Sequence, residues 1–434
     1  MNKNRLVSAL FFLLSFVLLV QSCINQVKNS QLDNNIQSGN TTEPTPNKSA
    51  EIPKEPVKIT ASPTPKTSPS PLAKFDLVKS AKLTDTAKLI AGIKVDNSSI
   101  DNSSLVVEVQ NSSAWINHAQ YFQNGWPQLE NQQLSKVRKW SQEELKSIND
   151  SAPSIFYPFS GPDFLYAYSF FPKAKEYVLI GLEPVGVIPD FKNMSDSQRA
   201  QKLAIINQSL YAILEYSFFR TKAMAVDLAN YGVLPILLLF MARTNHQILD
   251  VQYVGLDEEA KIQVVEEESP QNNGLIPGVK ISLLPQGESE PKVIYYFSTD
   301  LSNDGLQKHP AFVKFMKQYA KESVTYLKAA SYLMHNESFS TIRDVILTQS
   351  SAVLQDDSGV PVKHFDKSVW ESKFYGAYIK PIDIFANQYQ SDLRSIYQGD
   401  SSIKPLDFGI GYKFYKDSNL MLAIRKGESV KQEK

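Results

Sequence analysis

The stretch SIFYPFSGPDFLYAYSFFPKAKEYVLIGLEPVGVIPD, residues 154–190, limits what this chain can fold into more than any other part. Ile155 to Phe159 is a short apolar and aromatic run that stops at Ser160-Gly161-Pro162-Asp163. There a serine or glycine suits the N-cap of a helix, a proline its first position, and an aspartate the positive end of its dipole. Phe164, Leu165, Tyr166, Tyr168, Phe170 and Phe171 leave almost no polar face, which predicts a helix buried on several sides. Pro172 ends it. Tyr177 to Leu182 is then a near-continuous apolar run closing on Glu183-Pro184, the pattern of a central strand buried on both faces. Strand, helix and parallel strand make a right-handed βαβ unit, so the expected fold class is α/β.

Open α/β sheets bind ligands in the crevice beyond the C-terminal ends of their strands. Ser160, Gly161 and Asp163 follow the first strand, and Glu183 ends the second. Glu183 lies about 20 positions after Gly161, the spacing at which dinucleotide-binding proteins set an acid on a ribose hydroxyl. Ser160 and Gly161 are therefore candidate cofactor-binding residues, and Asp163 and Glu183 candidate catalytic ones. A phosphate cradle uses three glycines where this loop has one, and Asp163 already occupies the anion position, so no cofactor is assigned. The same residues also read as the cap of a core helix and a plain strand end.

Met1 to Ser22 has the build of a bacterial secretory signal: Lys3 and Arg5, an apolar stretch from Leu6 to Val20, then Gln21-Ser22 before the single cysteine, Cys23. Val20-Gln21-Ser22-Cys23 resembles the lipobox of bacterial lipoproteins. That resemblance implies a thioether-linked diacylglycerol on Cys23, with a further acyl chain on its amino group in many bacteria, and an extracytoplasmic, lipid-anchored location in the cell envelope. A lone cysteine in an exported chain has no internal partner, which agrees with a covalent role of this kind. From Ile24 to about Lys74 the chain is rich in Asn, Ser, Thr, Pro and Lys, with prolines at 44, 46, 53, 56, 63, 65, 69 and 71. Such a segment buries too little apolar surface to offset its ordering entropy and is expected to be a disordered tether. Its reach is about 40 Å as a flexible coil and on the order of 150 Å as extended polyproline. The expected organisation is a signal peptide at 1–22, a lipidated cysteine and tether at 23–74, and one globular α/β domain at 75–434.

Lysine plus arginine and aspartate plus glutamate both total 45, so the chain carries no electrostatic footprint for nucleic acid. Phe75 to Val109 is apolar with turns at Asp96 to Ser99 and Asp101 to Ser104. Helices are expected at Ser113 to Phe122 and Leu129 to Trp140, with a capping box at Ser141 to Glu144 opening another. Trp115, His118, Trp126 and Trp140 fall here, as core residues or as an aromatic groove. Further helices are expected at Asp196 to Phe218, Thr221 to Tyr231 and Ile236 to Met241. Strands are expected at Ile248 to Val254, Lys261 to Val265, Val279 to Leu284 and Val293 to Phe297. Asp300 to Gly305 opens like a calcium loop, but its twelfth position is Ala311, where a bidentate glutamate is needed.

After helices at His309 to Ala320 and Ser340 to Thr348 comes Ala352-Val353-Leu354-Gln355-Asp356-Asp357-Ser358-Gly359-Val360-Pro361. An apolar strand here ends on two carboxylates and a serine, with His364 close behind. Asp356, Asp357 and Ser358 are candidate catalytic residues, or a polar turn before a helix. Phe408 to Phe414 alternates with period two and is answered by Leu420, Leu422 and Ile424, which predicts a C-terminal antiparallel hairpin. The five histidines have no metal-ligand spacing, so no metal site is assigned.

The segments YPFSGPDFLYA, VLIGLEPVG and VLQDDSGVP resemble those of a group of uncharacterised bacterial lipoproteins, a resemblance that spans most of the folded part and brings no activity with it. A glycine turn after strand one, an acid ending strand two and a final hairpin also resemble the Rossmann-like methyltransferases. HExxH, GxSxG, the P-loop lysine and a cysteine nucleophile are all missing. Two readings follow. Either the domain is a tethered binding or structural module that touches the membrane through Cys23, or it is an envelope-facing hydrolase or transferase, a methyltransferase-like one included, working with carboxylates at the strand ends.

Overall fold

The structure, a computed structural model, describes residues 71–96, 103–216, 232–266, 274–414 and 417–427. The signal segment, Cys23, the tether to residue 70, the turn residues 97–102 and the helix expected at Thr221 to Tyr231 lie outside them. The helices are α1 (Leu77–Ile90), α2 (Ser103–Asn111), α3 (Ser113–Leu129), α4 (Ser135–Glu144), α5 (Lys146–Asp150), α6 (Phe164–Phe170), α7 (Asp196–Tyr216), α8 (Leu234–Arg243), α9 (Asn303–Lys308), α10 (Pro310–Ala320), α11 (Ser340–Gln349) and α12 (Ser391–Gly399). The strands are β1 (Ser154–Tyr157), β2 (Glu176–Gly181), β3 (His246–Leu256), β4 (Ile262–Val264), β5 (Ile276–Pro285), β6 (Lys292–Ser298), β7 (Val324–Leu327), β8 (Ala352–Gln355), β9 (Trp370–Gly376) and β10 (Asn419–Arg425).

All ten strands form one mixed sheet in the order β4-β3-β5-β6-β2-β1-β7-β8-β10-β9. The middle five, β6, β2, β1, β7 and β8, are parallel. An antiparallel meander of β3, β4 and β5 flanks them on one side. On the other, β10 runs antiparallel between β8 and β9. Side chains alternate across each strand, so neighbours in sequence enter different cores. Ile155, Tyr157, Tyr177 and Leu179 meet α1, α3, α4, α6, α7 and α8 on one face. Phe156, Val178 and Ile180 meet α9, α10 and α11 on the other. The fold is a mixed α/β sheet with helices on both faces. No helix among the described residues is long and apolar enough to cross a membrane.

The βαβ unit forms, with different caps. Asp163 itself is the N-cap of α6 and accepts from Tyr166 N at 3.2 Å, where serine or glycine was the expected cap. Helix α6 is almost wholly buried. Strand β2 ends at Gly181, leaving Leu182 64 % exposed.

The capping box at Ser141 does not open a helix: Ser141 lies inside α4, where its hydroxyl donates to Phe170 O and accepts from Asn149 Nδ2. Helices α3 and α4 are joined by a π-helical segment, Glu130–Leu134. Trp115 and Trp140 are core residues. In the calcium-like loop, Asp300 Oδ1 accepts from Ser302 N at 2.8 Å, and Ser302 caps α9.

The expected hairpin is corrected too. Phe408 to Phe414 contains only the 3-10 turn Gly411–Lys413, and β10 pairs with β8 and β9 instead. The reason is burial: Asn419 to Ala423 are all buried, and such a strand needs a ladder partner on each side. The 408–414 stretch is held by other groups, Gly409 N donating to Gln133 Oε1 and Ile410 N to Ser418 Oγ, each at 3.1 Å.

Candidate functional site at the strand ends

The parallel strands deliver the loops after β1, β2, β7 and β8 to one edge of the sheet. Sequence reading had put Asp163, Glu183 and Asp356 there and had missed β7. That strand supplies the residue at the centre, Lys328. Its ammonium lies 2.6 Å from Asp163 Oδ2, with both side chains 2 % exposed. It also sits 3.6 Å above the Tyr166 ring, a favourable cation–π geometry. Tyr157 Oη donates to the same Asp163 oxygen at 2.8 Å. Burial pushes the Asp163 carboxyl up and the Lys328 ammonium down, each opposed by the other's charge. Asp356 also favours the charged lysine.

Asp356 works as a bracket. Its Oδ2 accepts from Ala329 N at 2.9 Å, while Oδ1 accepts from Ser358 N at 3.0 Å and from the Ser358 hydroxyl. Ser358 Oγ in turn accepts from Ala330 N at 2.7 Å. These bonds hold a loop in which Ala329, Ser331 and Tyr332 have φ of 51°, 54° and 53°, left-handed values that side chains other than glycine resist. Tyr412 Oη donates to Ala329 O at 2.9 Å and pairs with Ser331 Oγ at 2.8 Å. Asp357 ties the same loop, accepting from Tyr332 Oη at 2.5 Å, and also accepts from Asn419 Nδ2 at 2.9 Å. Burial and the adjacent Asp357 raise Asp356 to about 6, and burial raises Asp357 as well.

Glu183 belongs to a different corner. Its buried carboxylate lies against Gly161, whose φ is 51°; a Cβ there would sit 3.5 Å from Oε2. A Cβ on Gly181 would overlap the same carboxylate and the Tyr296 hydroxyl. Tyr296 Oη donates to Glu183 O at 2.7 Å, and burial raises the Glu183 carboxyl. Ser160 ties the two strands together: its Oγ accepts from Ile180 N at 3.0 Å, and its N donates to Ile180 O at 2.9 Å. Burial lowers the His364 pKa, and the charges acting on it are those of Arg343, Lys363, Glu337 and Asp344.

No family model, curated protein or solved structure matches this chain. The chemistry rests on the geometry.

Every candidate group in the crevice has a partner within the chain: Asp163 in an ion pair, Asp356 and Ser358 in a loop bracket, Ser160 across two strands. Among the described residues no three histidine, cysteine, aspartate or glutamate side chains converge to hold a metal ion. One signal for the missing residue was present in the sequence. Val324-Thr325-Tyr326-Leu327 is a β-branched and aromatic run followed by a single lysine.

Proposed function

We propose that this chain is a bacterial envelope lipoprotein, anchored through acyl chains on Cys23, whose folded unit is a non-catalytic Rossmann-like module for binding or structural use. Numbered in chain order without β3, β4 and β5, the other seven strands run 3-2-1-4-5-7-6. That extends the 3-2-1-4-5 order of Rossmann folds, and the antiparallel β10 near the edge supports the likeness to methyltransferases. In such sheets the ligand crevice opens where the strand order reverses, here between β1 and β7. The observation that carries the proposal is what fills that point: the buried Asp163–Lys328 pair, with Tyr157 and Tyr166 around it. A cofactor's charged group would have to displace an ion pair that is already desolvated.

Two experiments test the two halves. Mass spectrometry of the native protein should find an acylated Cys23 at the mature N-terminus, and Cys23→Ser should leave the chain unprocessed or soluble; an unacylated start elsewhere removes the anchor. Thermal shift with S-adenosylmethionine and NAD should give no saturable stabilisation. Saturable binding that is lost in Glu183→Gln would reinstate the enzyme reading.

A second reading keeps one observation in its favour. Three left-handed residues follow β7, and strained backbone of this kind concentrates at functional sites. Hydrolytic or transfer chemistry would then centre on Lys328 and the Asp356–Ser358 bracket. Activity abolished by Lys328→Met in a protein that remains folded would support it.

A further inference from the structure

The first turns of the folded unit break the rule that keeps large apolar side chains inside. Leu77 and Val78, the first two residues of α1, are 59 % and 60 % exposed. Leu72 and Phe75, just before them, are only partly buried. Single exposed apolar residues are ordinary, but four within so short a stretch make a patch. Lysines surround it. Lys74 lies over the Phe75 ring at 5.1 Å. Lys79 is 53 % exposed while reaching Asp250 at 2.7 Å. Lys82 follows Val78 by one turn on the same side of the helix. Of the nearby acids, Asp76 caps α1 by accepting from Val78 N and Lys79 N, Asp250 pairs with Lys79, and Asp85 is buried.

This patch stands where the proline-rich segment 24–70 delivers the chain to the folded unit. We propose that residues 72–82 form a foot that rests on an anionic phospholipid surface, with Leu77 and Val78 entering the lipid interface and Lys74, Lys79 and Lys82 meeting lipid phosphates. Apolar side chains beside lysines are the composition that seats a short helix at a bilayer surface, and anionic lipid attracts each lysine within a Debye length. The foot rests on the lipoprotein reading, because the acyl anchor is what keeps the surface within reach. It turns the tether from a spacer into a loop pinned at both ends.

The chain's single cysteine makes the test direct. If Cys23 is acylated it has no free thiol, so Val78→Cys supplies the only site for an environment-sensitive dye. The full-length lipidated variant is placed in vesicles of phosphatidylcholine with or without phosphatidylglycerol. In the anionic vesicles the dye emission should shift to the blue and be quenched by spin-labelled lipid. A dye at Leu182→Cys should stay in water. Leu77→Ser with Lys74→Glu should abolish the shielding at position 78. A dye at 78 that remains water-exposed in anionic vesicles overturns the foot, as does one already shielded before vesicles are present, which would mean that the chain itself covers the patch. Labelling of the wild-type chain would instead show a free Cys23 and sink the anchor alone. The foot is then judged on the Cys23→Ser, Val78→Cys chain added to the same vesicles, where shielding confined to anionic lipid sustains it and no shielding overturns it.

Discussion

Removing the charge of Lys328 is the sharpest perturbation this fold offers. Lys328→Met keeps most of the side-chain volume but leaves Asp163 desolvated with only Tyr157 Oη and Tyr166 N as donors. Breaking a buried pair from one side costs about 3–5 kcal/mol. The carboxylate has an escape, which is to take up a proton. At pH 7 that lies about three units above an ordinary carboxyl pKa, which limits the cost to about 4 kcal/mol. Since burial already pushes the Asp163 carboxyl up, the variant should use this route. Its penalty should then shrink by about 3 kcal/mol between pH 7 and pH 5. Asp163→Leu should cost a similar amount. The double variant removes both charges and loses only the α6 cap and the Tyr157 bond, about 2–3 kcal/mol together. Urea unfolding of the four proteins gives the coupling energy, expected at about 4 kcal/mol or more, provided the m-values agree. A coupling below about 1 kcal/mol, or a Lys328→Met penalty that does not change with pH, would mean that the pair is screened like a surface one and does not close the crevice.

Other outcomes follow from the same geometry. Asp356 binds its proton more tightly in the fold, at about 6, than in the unfolded chain, so its contribution to stability is full below the ordinary carboxyl range and lost as pH rises through about 6; urea midpoints from pH 4 to 7 should fall less steeply in Asp356→Asn than in wild type. At pH 7 the same variant should be less stable by about 1–3 kcal/mol, because an amide cannot accept from both Ala329 N and the Ser358 donors. Burial lowers His118 and His246 to about 4, the reverse case: their contribution is full above the ordinary histidine value and is lost as pH falls towards 4, so His246→Gln should blunt acid unfolding as followed by circular dichroism. Gly161→Ala should cost about 1 kcal/mol in a thermal melt, from its left-handed φ alone, since the added Cβ meets only van der Waals contact.

Much of the architecture was legible in the chain. The apolar runs at Ile155 and Tyr177, with an almost wholly apolar helix between them, specify a βαβ unit because strand and helix periodicity are properties of adjacent residues. For the same reason the interiors of α7, α8, β3, β5 and β6 could be read, and the polar ends of β1, β2 and β8 marked as the edge where a site would lie. The roles of those polar groups could not be read. Asp163 could be read either as a catalytic acid or as part of a helix cap, and the lysine that neutralises it follows a four-residue strand too short to show a period. Asp356 and Ser358 resembled catalytic groups, yet their acceptor atoms are taken by the backbone of a loop after β7. The partner of β10 was likewise misjudged, since two-sided burial called for β8 and β9 rather than the nearest alternating stretch. Local pattern sets which residues turn inward, because that depends on spacing along the chain. Whether an inward carboxylate is an acid, a cap or half of an ion pair depends on which distant strand packs beside it, and only the order of strands in the sheet decided that.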